Sequence, residues 1–303
     1  MKILSLAPCR ISLFGSGTDL PEFADKYGGF CLNMAINIRQ EFIISNELNY
    51  ISDHDPFVGK IFDALGELRI GHKQRFDGII TGGIGSSAAA TVAIVGAINK
   101  MRNLAMTRTD IAELAWKIEV ERLGLYGGRQ DQYCAAFGGV SGMEFTKDKV
   151  VVVSLSRQFL DKLSSSVVLF HLGFNRKNPN IQEGFRKLSQ GQVLYLGQIK
   201  KLVTEAVPLI GNGDIEAAGH LLHNSWTLKK KSNRGVGNSE FEKVYKKAQE
   251  LGVWGGKICG AGGGGYCIFM IDPDKRQSLI DGLGIKWIDY DWDFNGLDVR
   301  RID

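Results

Sequence analysis

Short apolar runs rich in β-branched or aromatic residues recur at 42–44, 150–153, 167–170 and 266–271, each bounded by polar or glycine punctuation, and they predict strands. Between them, apolar positions return at three- and four-residue spacing over 86–101, 107–123, 192–210, 214–231 and 239–251, with a shorter stretch near 273–282. These segments predict helices. Strands gather in the first half and near the C-terminus, around a helical block from 192 to 251. That order predicts an α+β fold with helices segregated on one side, in preference to a doubly wound parallel sheet. No internal repeat, low-complexity segment or proline-rich linker interrupts it, and only six prolines occur in all. A boundary near 155–165 therefore reads as a cleft between lobes 1–160 and 161–303, not as a tether.

The 303 residues are 44% apolar, ample for a packed core in one large domain or two joined lobes. Net charge is +4 with the basic residues scattered, so the basic stripe that a nucleic-acid partner requires is missing. A phosphorylated small molecule needs only a few cations. The five cysteines (Cys9, Cys31, Cys134, Cys259, Cys267) are odd in number and form no CxxC pair, against both a disulfide framework and a zinc site. The N-terminal apolar run is short, and no stretch approaches the roughly 20 residues that cross a bilayer. The expectation is a cytoplasmic protein without a membrane partner; a homo-oligomer is compatible with it.

Glycine is the compositional outlier at 38 residues, many in tight clusters. The sharpest is Gly82-Gly83-Ile84-Gly85-Ser86-Ser87-Ala88, which opens directly into an Ala-rich apolar helix. Backbone N–H groups can approach phosphate oxygens there, Ser86 or Ser87 can cap the helix, and the helix end carries about half a positive charge. Walker A is absent. Gly83-Ile-Gly85-Ser-Ser-Ala88 and Gly260-Ala-Gly262-Gly-Gly-Gly265 both fit dinucleotide patterns, but the first lies some eighty residues in and is followed by Lys100 and Arg102, and the second runs into a strand. A Gly-Ser turn before a buried helix is the remaining plain alternative.

Three separated segments resemble the motifs of the GHMP kinases: Ala7-Pro8-Cys9-Arg10-Ile11-Ser12-Leu13-Phe14-Gly15-Ser16-Gly17-Thr18-Asp19, the loop 83–89, and 260–265. Further matches resemble the D-glycero-D-manno-heptose 7-phosphate kinase branch. They are Gly17-Thr18-Asp19-Leu20-Pro21-Glu22-Phe23, Gln130-Asp131-Gln132-Tyr133 with Ala136-Phe137-Gly138-Gly139, Ser225-Trp226-Thr227-Leu228-Lys229-Lys230, and Gly255-Gly256-Lys257. The resemblance implies two α+β lobes, an N-terminal lobe like ribosomal protein S5, an active site in the cleft, and ATP with Mg²⁺. Departures are Cys9, where many members have glycine, and a loop approach at 79–82 without prolines.

By that resemblance Gly83, Ile84, Gly85, Ser86, Ser87 and Ala88 hold the nucleotide phosphates, and Ser87 also reaches Mg²⁺. Glu121 is the expected metal partner, at the edge of the stripe Ile111, Leu114, Ala115, Ile118, with Glu119 as the fallback on the opposite flank. Asp131 orients or deprotonates the acceptor hydroxyl, and Arg10 fixes its charge. Gly17, Thr18 and Asp19 grip sugar hydroxyls; Gly262 and Gly263 lie in the third motif. A phosphate already on the sugar calls for Arg176, Lys229 and Lys230, although solvated surface lysines are the ordinary reading of 229–231. The implied function is an ATP-dependent kinase of the anomeric hydroxyl of D-glycero-D-manno-heptose 7-phosphate. Alternatives are a kinase of another sugar such as fucose, or a nucleotide- and sugar-binding regulator without turnover.

Overall fold

The computed structural model describes all residues except 47–55, 68–69, 77, 80–81, 156–159, 174–180 and 303. The fold is α+β, built on two antiparallel sheets. In the first, β1 (Lys2–Phe14) pairs with β2 (Gly29–Ser45), which also pairs with β3 (Gly71–Phe76) and β4 (Val140–Phe145); β4 pairs with β5 (Val150–Ser154). The second has the order β7 (Gly255–Ile258), β8 (Tyr266–Met270), β6 (Val167–His171), β9 (Lys286–Ile288). The last strand, β10 (Asp298–Arg301), returns to the first sheet and pairs with β1, while the other strands after residue 160 lie in the second.

β1 from Ser5 onward and β2 over 31–36 are wholly buried and so lack the alternating pattern that marks a half-exposed strand; sequence periodicity missed β1 and all but the end of β2. Pro8, which has no N–H to give, falls at a register shift between Pro8 and Cys9, and a second irregularity lies between Ser12 and Phe14. Arg10 stands between the two, where a local change of twist re-aims its side chain.

The helices Ser86–Arg102, Gln130–Phe137, Gln190–Gly211 and Ile215–Ser232 pack against the first sheet. α1 (Pro21–Tyr27) follows the first motif, α2 (Pro56–Ala64) precedes β3, and α3 (Ser86–Arg102) is buried from Ala88 to Ile98. Apolar all round, α3 can only be a central helix. α4 (Arg108–Lys117) passes into a π-helical turn at Ile118–Arg122, so the helix expected over 107–123 changes hydrogen-bond pattern just where its carboxylates lie. α5 (Gln130–Phe137) leads to β4, and α6 (Leu160–Ser166) leads to β6. The expected helical block appears as α7 (Gln190–Gly211), α8 (Ile215–Ser232) and α9 (Ser239–Glu250), followed by α10 (Arg276–Leu283) after a 3₁₀ turn at Pro273–Lys275.

Two large apolar cores and a small one result. The small one joins Leu20 and Phe23 to Phe185, Leu196 and Ile199; of the large ones, one fills the space between α3 and the first sheet, and the other centres on Phe170, Phe241, Phe269 and Trp226. Between them the backbone of 260–265 is pressed against 82–83: a Cβ on Gly265 would lie 1.9 Å from the Gly82 carbonyl oxygen, and one on Gly260 would lie 2.9 Å from Gly83 Cα. Only glycine allows that approach. The third motif is glycine-rich because it is the seat of the second.

Candidate active site

A cleft of about 430 Å³ lies between the sheets, lined by the 82–87 loop, Arg10, Asp19, Glu119, Asp131 and Lys229 among others. Arg10 reaches it from β1. Its Nε and Nη2 donate to the two carboxylate oxygens of Asp131, both at 2.7 Å, and its Nη1 donates to the Gly83 carbonyl oxygen at 2.6 Å. The fork geometry fixes both the carboxylate and the loop. Arg10 is buried, whereas the Asp131 side chain keeps 27% exposure toward the cleft.

Gly85 is the N-cap of α3, in the left-handed region at φ +70, with no side-chain cap. Capping by Ser86 or Ser87 is therefore not what happens; both lie inside the first turn. The first amides of a helix have no intrahelical partner, and here the earliest one engaged is that of Ala89, which donates to the Gly85 carbonyl oxygen. The N–H groups of Ser86, Ser87 and Ala88 thus form an anion seat backed by the helix dipole. A Cβ on Gly85 would come within 3.3 Å of Arg10 Cγ and 3.4 Å of Asp131 Oδ2. The cup and the Arg10–Asp131 pair share one wall. The side chains of Ile84 and Ala88 point into the core, so only their backbone serves the site.

Of the two glutamates considered for a cation, the structure brings only Glu119 to the cleft. Glu121 is exposed and does not line the cleft; Glu119 is 5% exposed and does. Ala112 is buried while Leu114 is half-buried, so the buried stripe runs through 111, 112, 115, 118 and 119 at helical spacing. Including Leu114 in the stripe, in place of Ala112, turns its edge toward Glu121. Thr91 Oγ1 donates to Glu119 Oε1 at 2.9 Å and Gln132 Nε2 to Oε2 at 2.5 Å. Burial, opposed by the hydrogen bonds from Thr91 and Gln132, raises the Glu119 carboxyl to about 7. Ser87 also hydrogen-bonds it. A buried carboxylate held by neutral donors invites a cation.

Asp19 is 4% exposed. It accepts from Gly17 N at 3.2 Å and from Gln130 Nε2 at 2.9 Å, and burial followed by the charge of Asp131 raises its carboxyl above the usual range. A Cβ on Gly128 would sit 2.1 Å from Asp19 Oδ2, so the loop after the π turn is glycine because it closes over this carboxylate. Thr18 is not part of the lining. Its hydroxyl, fully buried, donates to the Phe30 carbonyl oxygen and accepts from Phe30 N, tying the turn to β2.

Lys229 on α8 is 6% exposed and lines the cleft. Its Nζ donates to Ser16 Oγ at 2.6 Å, Ser16 O at 3.1 Å and Gly260 O at 3.4 Å. Burial, then the nearby Lys257 ammonium, draws its pKa down to about 7. Lys230, one position round the helix, points away and pairs with Glu242 at 2.8 Å. Gly262 and Gly263 face Gly237 and Asn238, not the cleft; Gly260 and Ala261 are the third-motif residues that line it. Arg176 lies outside the described residues. Gln130, Gln132 and Ser16 were not singled out by sequence, though the two glutamines flank Asp131 in a matched motif.

Comparison with known proteins adds the following. The family description "GHMP kinases N terminal domain" matches residues 59–139, and "GHMP kinases C terminal" matches residues 206–289. A D-glycero-alpha-D-manno-heptose 7-phosphate kinase of Campylobacter jejuni is 29% identical over 93% of this chain and 93% of its own. A galactokinase of Pyrococcus furiosus is also 29% identical, over 93% of this chain and 92% of its own. Among solved structures, a D-glycero-D-manno-heptose 1-phosphate kinase from Bacteroides thetaiotaomicron superposes with TM-score 0.82 at 23% identity, covering 99% of both chains.

Proposed function

The chain belongs to the GHMP kinase family of ATP-dependent phosphotransferases, and we propose that its acceptor is the anomeric hydroxyl of D-glycero-D-manno-heptose 7-phosphate, converted to the 1,7-bisphosphate. The observation that carries the kinase chemistry is the Arg10–Asp131 fork resting on Gly85 and Gly83 at the uncapped start of α3. It brings an anion seat, a fixed cation and an acceptor-facing carboxylate to one wall.

Phosphoryl transfer asks the protein for alignment and for charge to meet the transferring group. The amides of Ser86, Ser87 and Ala88 bind the nucleotide phosphates. Asp131 accepts the proton of the acceptor hydroxyl as its oxygen bonds to the γ-phosphorus, and the bond to the bridging oxygen breaks to release ADP. Arg10 holds that carboxylate in place and lends positive charge to the γ-phosphoryl oxygens. Asp19, kept in register by Gln130, accepts hydrogen bonds from sugar hydroxyls.

Glu119 and the Ser87 hydroxyl are hard oxygen donors suited to Mg²⁺. Among the described residues no group of three acidic, His or Cys side chains forms a cage, as suits an ion completed by phosphates and water. When bound, Mg²⁺ supplies neutralisation of phosphate charge. Lys229, an ammonium with only neutral hydrogen-bond partners at the cleft wall, supports an acceptor that already carries a phosphate.

The test is ATP consumption across free and phosphorylated sugars. The expected result is turnover with heptose 7-phosphate and a kcat lower by about 10²–10⁴ in Asp131→Asn. An anomeric hydroxyl is more acidic than an ordinary alcohol and places the loss at the lower end. Turnover with a free sugar only would replace the acceptor assignment, and full activity of Asp131→Asn would remove the base.

A further inference from the structure

The first turn of α5 distributes three successive side chains to three parts of the cleft. Gln130 holds Asp19 and accepts from Ser12, Asp131 holds Arg10, and Gln132 holds Glu119. The first serves the acceptor and the second the transfer. Gln132 is 3% exposed and lines the cleft, yet its two amide atoms fare differently: Nε2 donates to Glu119 Oε2, while Oε1 is buried with no hydrogen-bond partner among the described residues. A buried carbonyl oxygen left without a donor is a standing cost, and such exceptions mark places where a ligand or water completes the network.

The Glu119 environment shows what completes it. Thr91 donates to Oε1 and Gln132 to Oε2, and with Ser87 as a further donor the carboxylate still keeps a lone pair for a cation. We propose that Gln132 is the positioning residue of the cation site: its nitrogen orients the Glu119 carboxylate, and its carbonyl oxygen accepts a hydrogen bond from water on a divalent cation. This rests on the kinase reading above and adds to it the residue that links the cation carboxylate to Asp131. Outer partners of this kind fix the orientation of a ligand and tune its grip on the ion.

The experiment is Mn²⁺ titration of the full chain with a non-hydrolysable ATP analogue, beside titration of the same analogue without metal. Gln132→Leu keeps the bulk and removes both polar atoms. It should weaken Mn²⁺ binding by about 10–100-fold and leave metal-free analogue binding unchanged. Unchanged Mn²⁺ affinity in Gln132→Leu, or an equal loss of metal-free analogue binding, overturns the proposal. Failure of the wild type itself to bind the analogue would overturn the kinase reading instead.

Discussion

Lys229 has three acceptors for its three N–H bonds and no acidic group among them. Its neighbours in charge are Lys257 and Arg10, which disfavour the ammonium, and Asp19, which favours it. With the folded value lowered from 10.5 to about 7, the unfolded chain binds more protons between those limits. The stability linked to this group is therefore fully present above 10.5 and is lost as the pH falls toward 7. The kinetic consequence has the opposite sense, since an anionic acceptor needs the protonated form. kcat/KM for phosphorylated sugars should decline as pH rises through about 7, and Lys229→Met should flatten that limb and lower kcat/KM more for phosphorylated than for neutral sugars. A pH profile with both acceptor types measures it. At this scale the sequence was legible for Arg10, Asp19 and Asp131, whose types and spacing match motifs. It offered both Glu121 and Glu119 for a cation, and which of them reaches the cleft depended on whether Ala112 or Leu114 was the more buried, a tertiary fact. Thr18 and Lys230 lie off the cleft lining, their polar groups used by Phe30 and Glu242.

The element that matters most is the start of α3, where residue type and backbone sign coincide. Gly85 is left-handed, so Gly85→Ala should cost about 1–2 kcal/mol in denaturant unfolding for the backbone alone. The added methyl also presses on Arg10 and Asp131, so kcat should fall along with nucleotide affinity. A variant losing stability but keeping full kcat would separate the cup from the ion pair. The helix itself was plain from its apolar run, and α7, α8 and α9 were equally legible from periodicity. The π turn was not. Its widened ring, in which Leu123 N donates to the Ile118 carbonyl oxygen, has no signature in residue type, and it carries Glu119 into the cleft.

Across the molecule, the glycine clusters that sequence showed as separate strings become one structure. Gly265 touches no ligand-lining surface, yet its backbone meets the Gly82 carbonyl, and the Tyr266 hydroxyl both accepts from Ile79 N and donates to Ile79 O. Gly265→Ala should displace the phosphate loop from behind. Since a 1 Å misplacement remote from the chemistry can cost about 10²-fold, kcat/KM should fall on that order while the apolar cores stay folded. Steady-state kinetics beside circular dichroism would check it. Sequence could not foresee this seating, because two glycine backbones meeting across 180 residues leave no periodic trace. The second sheet also reaches over with cations: Lys257 Nζ donates to Ser12 O and Leu13 O on β1, as Lys229 does to Ser16. Against these tied walls, the strip 124–128 of the cleft lining has glycine at three of its five positions and so carries backbone freedom that the walls lack.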